Sequence, residues 1–164
     1  MNVNTIEKLF VDELKDLYSA ETQITKALPK LAKASNSAEL RSAFENHLKE
    51  TRAHVERLEQ IFSILETSPR GKTCEGMKGL LKEGSEMVKE TEQGAVRDAA
   101  MISAAQRVEH YEMAGYGSVR TYAQLLGREN MVKILEKTLE EEKSADSKLT
   151  SIARNVNDEA LSEA

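Results

Sequence analysis

Apolar residues recur along this chain at alternating steps of three and four, the spacing that gathers side chains on one face of an α-helix. They do so in four long segments. The first spans residues 4–34, with a stripe of Ile6, Phe10, Leu14, Leu17, Ile24, Leu28 and Leu31. Asn4 followed three positions later by Glu7 predicts a capping box with Asn in the Ser/Thr place, and Pro29 predicts a kink or short break. The second spans residues 37–66, with Leu40, Phe44, Leu58, Ile61 and Leu65 in its stripe and the pair Asn36/Glu39 at its start. Thr67-Ser68-Pro69-Arg70-Gly71 breaks it. A connection up to Gly94 follows, holding one short helical pattern of Met77, Leu80, Leu81, Met87 and Val88. The third long helix is predicted over 95–126, stopped by Gly127, and the fourth over 129–156. One domain over 1–158 and a frayed tail over 159–164 result.

The short turns at 34–37 and 126–129 force antiparallel neighbours within each helix pair. The long middle connection permits a crossover, containing the short extra helix, from one pair to the other. Two antiparallel hairpins joined in this way form a ferritin-like four-helix bundle, although the pattern alone also allows a plain up-and-down bundle. Composition agrees with an all-α fold: two Pro and eight Gly leave few breaks, and Ala, Leu, Glu and Lys dominate. A net charge of −5 without a basic block argues against nucleic acid as a partner. No apolar run approaches the roughly 20 residues that span a bilayer, and MNVNTIEKLF lacks a secretory pattern, so a soluble cytoplasmic protein is the plain reading. The single cysteine, Cys74, excludes an internal disulfide and a cysteine-only metal site.

What interrupts the stripes is more informative than what builds them. The series reads Leu17, Glu21, Ile24 in the first helix and Phe44, His47, Thr51, His54, Leu58 in the second, with Glu50 on the adjoining edge. It reads Ala105, Glu109, Glu112, Tyr116 in the third and Leu135, Thr138, Glu142, Ala145 in the fourth, with Asp146 one turn past Glu142. Glu21, Glu50, Glu109 and Glu142 fall near the midpoints of their helices and should meet in one layer. Carboxylates buried together repel, each is expensive without a partner, and the stripes contain no Lys or Arg to offset them. Bound cations resolve the conflict, with His47 or His54 adding nitrogen; iron or manganese suits such oxygen and nitrogen donors. Taken singly, each acid could lie at a stripe edge, Glu50 most readily, and either histidine could be a boundary residue. Tyr116 and Met113 read as packing residues, with Tyr116 also a potential donor to the layer. Glu140 and Glu141 read as a solvated run, and Glu13 as a boundary residue. A slightly rotated stripe would put His110 and Glu141 in place of Glu109 and Glu142.

The stretches LYSAETQITKALPKLA, HLKETRAHVERLE, RDAAMISAAQRVEHYEMAGYGS and LEKTLEEEKSADSKLT resemble the YciF-like family of bacterial ferritin-like stress proteins. The likeness runs from the first helix to about Val156. It implies a ferritin-like bundle that dimerises and carries a di-iron-type site. Proteins of that kind place one Glu on each of two helices and Glu-x-x-His on each of the others. Here position 53 is Ala, the fourth helix has no histidine, and Glu109-x-x-Glu112 is similar to the peroxide-reducing rubrerythrins, whose additional cysteine-bound iron one cysteine cannot build.

The resulting expectation is a site for two iron ions per chain, or manganese, linked to stress and handling iron with oxygen or peroxide. Glu21 and Glu109 are terminal ligands in it, and Glu50 and Glu142 bridge. Glu112, Asp146 and one of the histidines complete the shells, and Glu109 and Glu112 exchange by a carboxylate shift. The rival expectation is a metal-free helical homodimer acting as a binding or scaffold protein.

Overall fold

The computed structural model describes residues 3–162. The chain is all-helical, with no strand among the described residues. Its helices are α1 (Ile6–Ala34), α2 (Ala38–Ile64), α3 (Glu75–Glu90), α4 (Ala95–Leu125) and α5 (Glu129–Ser162). All four long patterns and the short one therefore become helices. The fourth runs past Val156, where its stripe ends, as far as Ser162; residues 163–164 of the expected tail lie outside the described residues.

Both N-terminal caps stand one residue later than the sequence pairing suggests. Thr5 caps α1 by accepting from the backbone N–H of Lys8 at 3.2 Å, while the Asn4 side chain takes the Lys8 ammonium at 2.9 Å. Ser37 caps α2 by accepting from Leu40 N–H at 3.3 Å. Asn36 is diverted because its own N–H, with that of Ser37, donates to the Asp98 carboxylate at 2.8 and 2.6 Å. Pro29 lies within α1 and does not break it. α4 ends in two backbone bonds, Gly127 N–H to Gln124 and Arg128 N–H to Ala123, around a residue at φ +66° where glycine carries no Cβ penalty. The end of α2 makes the same pair of bonds with Glu66 in the left-handed position, at φ +51°.

α1 packs on α2 and α4, α5 packs on α4 and α2, and α3 rests on α4 and more lightly on α1. Side-chain contacts give the directions. Glu59 near the end of α2 meets Tyr18 in the first half of α1, and Asp98 at the start of α4 meets the turn after α1. On the α4–α5 face, Arg120 meets Glu136 and Gln106 meets Thr150. Each of these neighbours is therefore antiparallel, and the chain between α2 and α4 starts at one end of the molecule and finishes at the other.

The apolar interior is divided in two. One cluster holds Ile24, Leu28, Leu40, Phe44, Met101 and Leu149; the other holds Phe10, Leu14, Leu58, Phe62, Val119 and Leu135. Between them lies a layer of buried polar side chains drawn from all four long helices.

A candidate metal centre between the two cores

Glu21, His54, Glu112 and Glu142 are sealed from solvent at 0% exposure, with Glu109 at 2% and His47 at 7%. Each occupies a core-facing position of a helix whose stripe is otherwise apolar, so burial of the stripe carries it inward. The residues form two overlapping groups close enough to hold ions: His47, Glu109, Glu112 and Glu142, and Glu21, His54 and Glu142. Glu142 belongs to both.

In the first group His47 Nε2 lies 3.0 Å from Glu109 Oε1 and 3.8 Å from Glu142 Oε2. In the second, His54 Nδ1 lies 2.9 Å from Glu142 Oε1 and 3.1 Å from Glu21 Oε1, and the Tyr116 hydroxyl donates to Glu21 Oε1 at 2.6 Å. The two imidazole rings stand 6.4 Å apart. Despite these approaches, Glu21 Oε2, Glu109 Oε2, both oxygens of Glu112 and both of Glu142 make no well-aligned hydrogen bond among the described residues, and neither do His47 Nε2 and His54 Nδ1. Buried carboxylates are ordinarily satisfied. Here the unsatisfied lone pairs converge on one another, the donor set a hard divalent cation takes.

The electrostatics of the layer follow from burial and crowding. Burial, and then the charges of Glu142, Glu21 and Glu109, pushes the Glu112 carboxyl well above the usual range. Glu142 rises to about 7 through burial and its neighbour Glu109. Burial would lower the histidines, but the acids overcome it. His54 rises to about 10 beside Glu142 and Glu21, and His47 goes well above its ordinary value beside Glu109. Tyr116 is raised by burial and the charge of Glu21, so its phenol keeps its proton and remains a donor. Protons on these groups thus offset carboxylate charge when nothing else does.

The remaining predicted ligands stand apart from the buried layer. Glu50, placed at the centre by the sequence reading, is at the rim with its side chain 47% exposed, where it lies 3.2 Å from His47 Nδ1. The inward neighbour is Thr51, fully buried, whose hydroxyl donates to the His47 carbonyl at 2.8 Å. One residue along a helix turns the side chain through about 100°, enough to trade centre for rim. Asp146 is half-buried and pairs with the exposed His110 at 3.3 Å, on the α4–α5 face. The rotated alternative is realised only for Glu141, which joins the layer beside Glu142 rather than replacing it. Its Oε2 lies 2.9 Å from His54 Nε2, and Arg57 grips it with two bonds of 2.6 and 2.9 Å. Arg57 is the cation the stripes lacked. It sits at the edge of α2, also donating to Thr138 at 3.0 Å, and with His54 holds Glu141 below the usual carboxylate range against the opposing effect of burial. The only sequence signal for this pair was two opposite charges at the borders of their stripes.

A cavity of about 70 Å³ adjoins the His47–Glu109 side of the layer, walled largely by apolar side chains such as Ile24, Phe44, Val108 and Leu149.

A bundle of long helices with a buried glutamate–histidine layer, fit to hold metal ions, is the class of protein that these features define. The chain belongs to the family described as Domain of unknown function (DUF892), whose pattern matches residues 5–162. It is 47% identical to Protein YciF of Escherichia coli (strain K12) over the full length of both chains, which identifies it as a homologue of that stress protein. The crystal structure of the Escherichia coli stress protein YciF superimposes with a TM-score of 0.92 at 45% identity, covering 95% of this chain and 99% of that one. YcfI from Rhodopseudomonas palustris, for which a structural role has been suggested, gives 0.88 at 42% identity over 91% and 95%. A protein of Xanthomonas campestris pv. campestris shares the fold, with a TM-score of 0.78 at 18% identity over 97% and 98%. The likeness of the sequence to the YciF-like family thus holds over the whole chain.

Proposed function

We propose that this protein is a ferritin-like carboxylate protein that binds two iron ions, with manganese as the alternative metal, and handles iron with oxygen or peroxide under stress. The observation that carries the reading is the set of six buried carboxylate oxygens, on Glu21, Glu109, Glu112 and Glu142, that converge with no well-formed hydrogen bond among the described residues and only the His47 and His54 rings beside them as donors. Four carboxylates carry the charge that two divalent ions neutralise, and the histidines would then serve as neutral ligands. In this reading α3, with the segments flanking it, is the long crossover between the hairpins α1–α2 and α4–α5.

Glu142, common to both groups, would bridge. Glu109, Glu112 and His47 would hold one ion, and Glu21 and His54 the other. Bound iron would supply one-electron chemistry toward oxygen or peroxide. The chain's own contribution is positional. Tyr116 orients Glu21 through its hydroxyl, Arg57 fixes Glu141 against the outer nitrogen of His54, and the cores on either side exclude water. Glu112, whose oxygens make no well-aligned hydrogen bond among the described residues, would exchange places with Glu109. Compared with the usual pair of Glu-x-x-His motifs, α2 keeps the histidine in Thr51-x-x-His54 and α5 keeps the glutamate in Glu142-x-x-Ala145. The family likeness adds the expectations of a homodimer and of a cytoplasmic location, the first tested by size-exclusion chromatography.

The decisive experiment is elemental analysis after anaerobic loading with iron(II) and desalting. Wild type should retain about two irons per chain, and Glu142→Ala should lose most of both. Failure of the wild-type protein to retain any metal would overturn the proposal and favour a helical scaffold, the role suggested for YcfI.

A further inference from the structure

α3 is held against one side of its seat. At Gly76 an added Cβ would come within 2.8 Å of the Tyr111 ring, and at Gly84 within 3.3 Å of Ala104 Cβ, so both glycines press α3 close to α4. Cys74, capping α3, is tied to α1 twice: its N–H donates to Ser19 Oγ at 2.9 Å and its carbonyl accepts from Gln23 Nε2 at 3.1 Å. An apolar groove of about 400 Å³ lies between α1, α3 and α4. This volume lies in the range of small-molecule sites. Leu31, Leu80, Leu81, Val88 and Val108 line it, and all but Val108 remain partly accessible.

The rim of this groove has one sign of charge. Lys26 and Lys30 of α1 face Lys78 and Lys82 of α3, and no Asp or Glu lines it. Lys78 and Lys82 have exposed partners on their own helix, Glu75 at 3.3 Å and Glu86 at 3.7 Å, pairs of the kind that add little. Lys26 and Lys30 have no ion pair among the described residues. Lysine stems extend an apolar surface while their heads stay in water. An apolar trough rimmed by cations is complementary to a ligand with a long hydrocarbon chain and one anionic end.

The trough also shares a wall with the inner cavity. Ala27, Leu31, Leu81, Ala105 and Val108 line both the groove and the smaller cavity beside His47 and Glu109. We propose that the α1–α3–α4 groove binds a single-chain fatty acid, its carboxylate on the lysine rim and its chain laid along α3 toward the inner cavity. The proposal makes no use of the metal centre, so it stands or falls separately from the iron reading.

The test uses the full chain, free of iron, titrated with a fluorescent long-chain fatty acid, with methyl NMR to locate it. Saturable binding at about one equivalent per chain, with shifts at the methyls of Leu31, Leu81, Val88 and Val108, is the result expected. The exposed double variant Lys26→Glu/Lys30→Glu should weaken binding by about tenfold or more while leaving the affinity for the matching uncharged alcohol unchanged. Leu81→Glu should abolish both, with a melting curve verifying that it folds. Absence of saturable binding, shifts confined to other methyls, or indifference to the charge reversal would overturn the proposal. Binding to anionic vesicles without uptake of the free acid would also overturn it, because the lysines would then mark a membrane-facing surface.

Discussion

Asp98 illustrates at the scale of one residue how a buried charge can be wholly structural. Its side chain is 1% exposed, yet both oxygens are satisfied by the N–H groups of Asn36 and Ser37 at the start of α2. Charge-assisted bonds to a helix N-terminus are strong, and removing the carboxylate takes the partner from two part-buried donors at once. Asp98→Ala should therefore lower stability by about 3 kcal/mol in urea denaturation, with Asp98→Asn in between; a loss below about 1 kcal/mol would contradict this role. The layer residues behave in the opposite way, because their protons are what the metal-free fold relies on. His54 has its folded value raised to about 10 from 6.5, and Glu142 to about 7 from 4.5. A raised folded value gives stability that is complete below the unfolded value and lost as pH climbs through the folded one. Metal-free protein should thus melt at a higher temperature at pH 5 than at pH 9, and iron loading should reverse the order, since ligands must shed these protons. A melting temperature that rises with pH in the metal-free protein would refute it.

At the level of helices, the stripes and most of the ends, Gly127 after α4 among them, were legible because a 3.6-residue period and its breakers need only the sequence, whereas the capping residues of α1 and α2 were not. Asn4 and Asn36 looked like caps by their spacing to Glu7 and Glu39, but Lys8 and Asp98 claim those residues. Lys8 lies one turn away and was readable; Asp98 is 62 residues distant, and an acid in a first helical turn ordinarily reads as solvated. The centre divides in the same manner. Glu21, Glu109, Glu112, Glu142 and the two histidines were visible as wrong residues in apolar stripes. Glu50 and Glu141 depended on how far α2 and α5 are rotated, which is set by packing between helices and has no local signature. Glu66 shows a further compromise, a left-handed position occupied by a residue with a Cβ. Glu66→Gly should raise stability by about 1 kcal/mol, since relief of the steric penalty exceeds the added chain entropy. Equal or lower stability in thermal melts would show that Glu66 makes a compensating contact.

For the molecule as a whole, the polar layer sets stability against function. Glu112 is fully buried, and neither oxygen makes a well-aligned hydrogen bond among the described residues, the arrangement in which an apolar residue of similar volume usually does better. Glu112→Met should stabilise the metal-free protein by about 1–3 kcal/mol in denaturant while reducing iron retention. If stability fell, Glu112 would be holding the layer together rather than straining it.

The division of the interior into two apolar clusters, with charged groups in the seam, bears on how long each copy survives. Apolar packing is interrupted between the two clusters, so an unfilled seam leaves the middle of the molecule with the least apolar support. Under the iron reading, a loaded chain is bolted across that section and an empty one is not. Proteases that wait for partial opening would then remove empty copies first. The population would track iron supply through turnover alone, without any dedicated sensor.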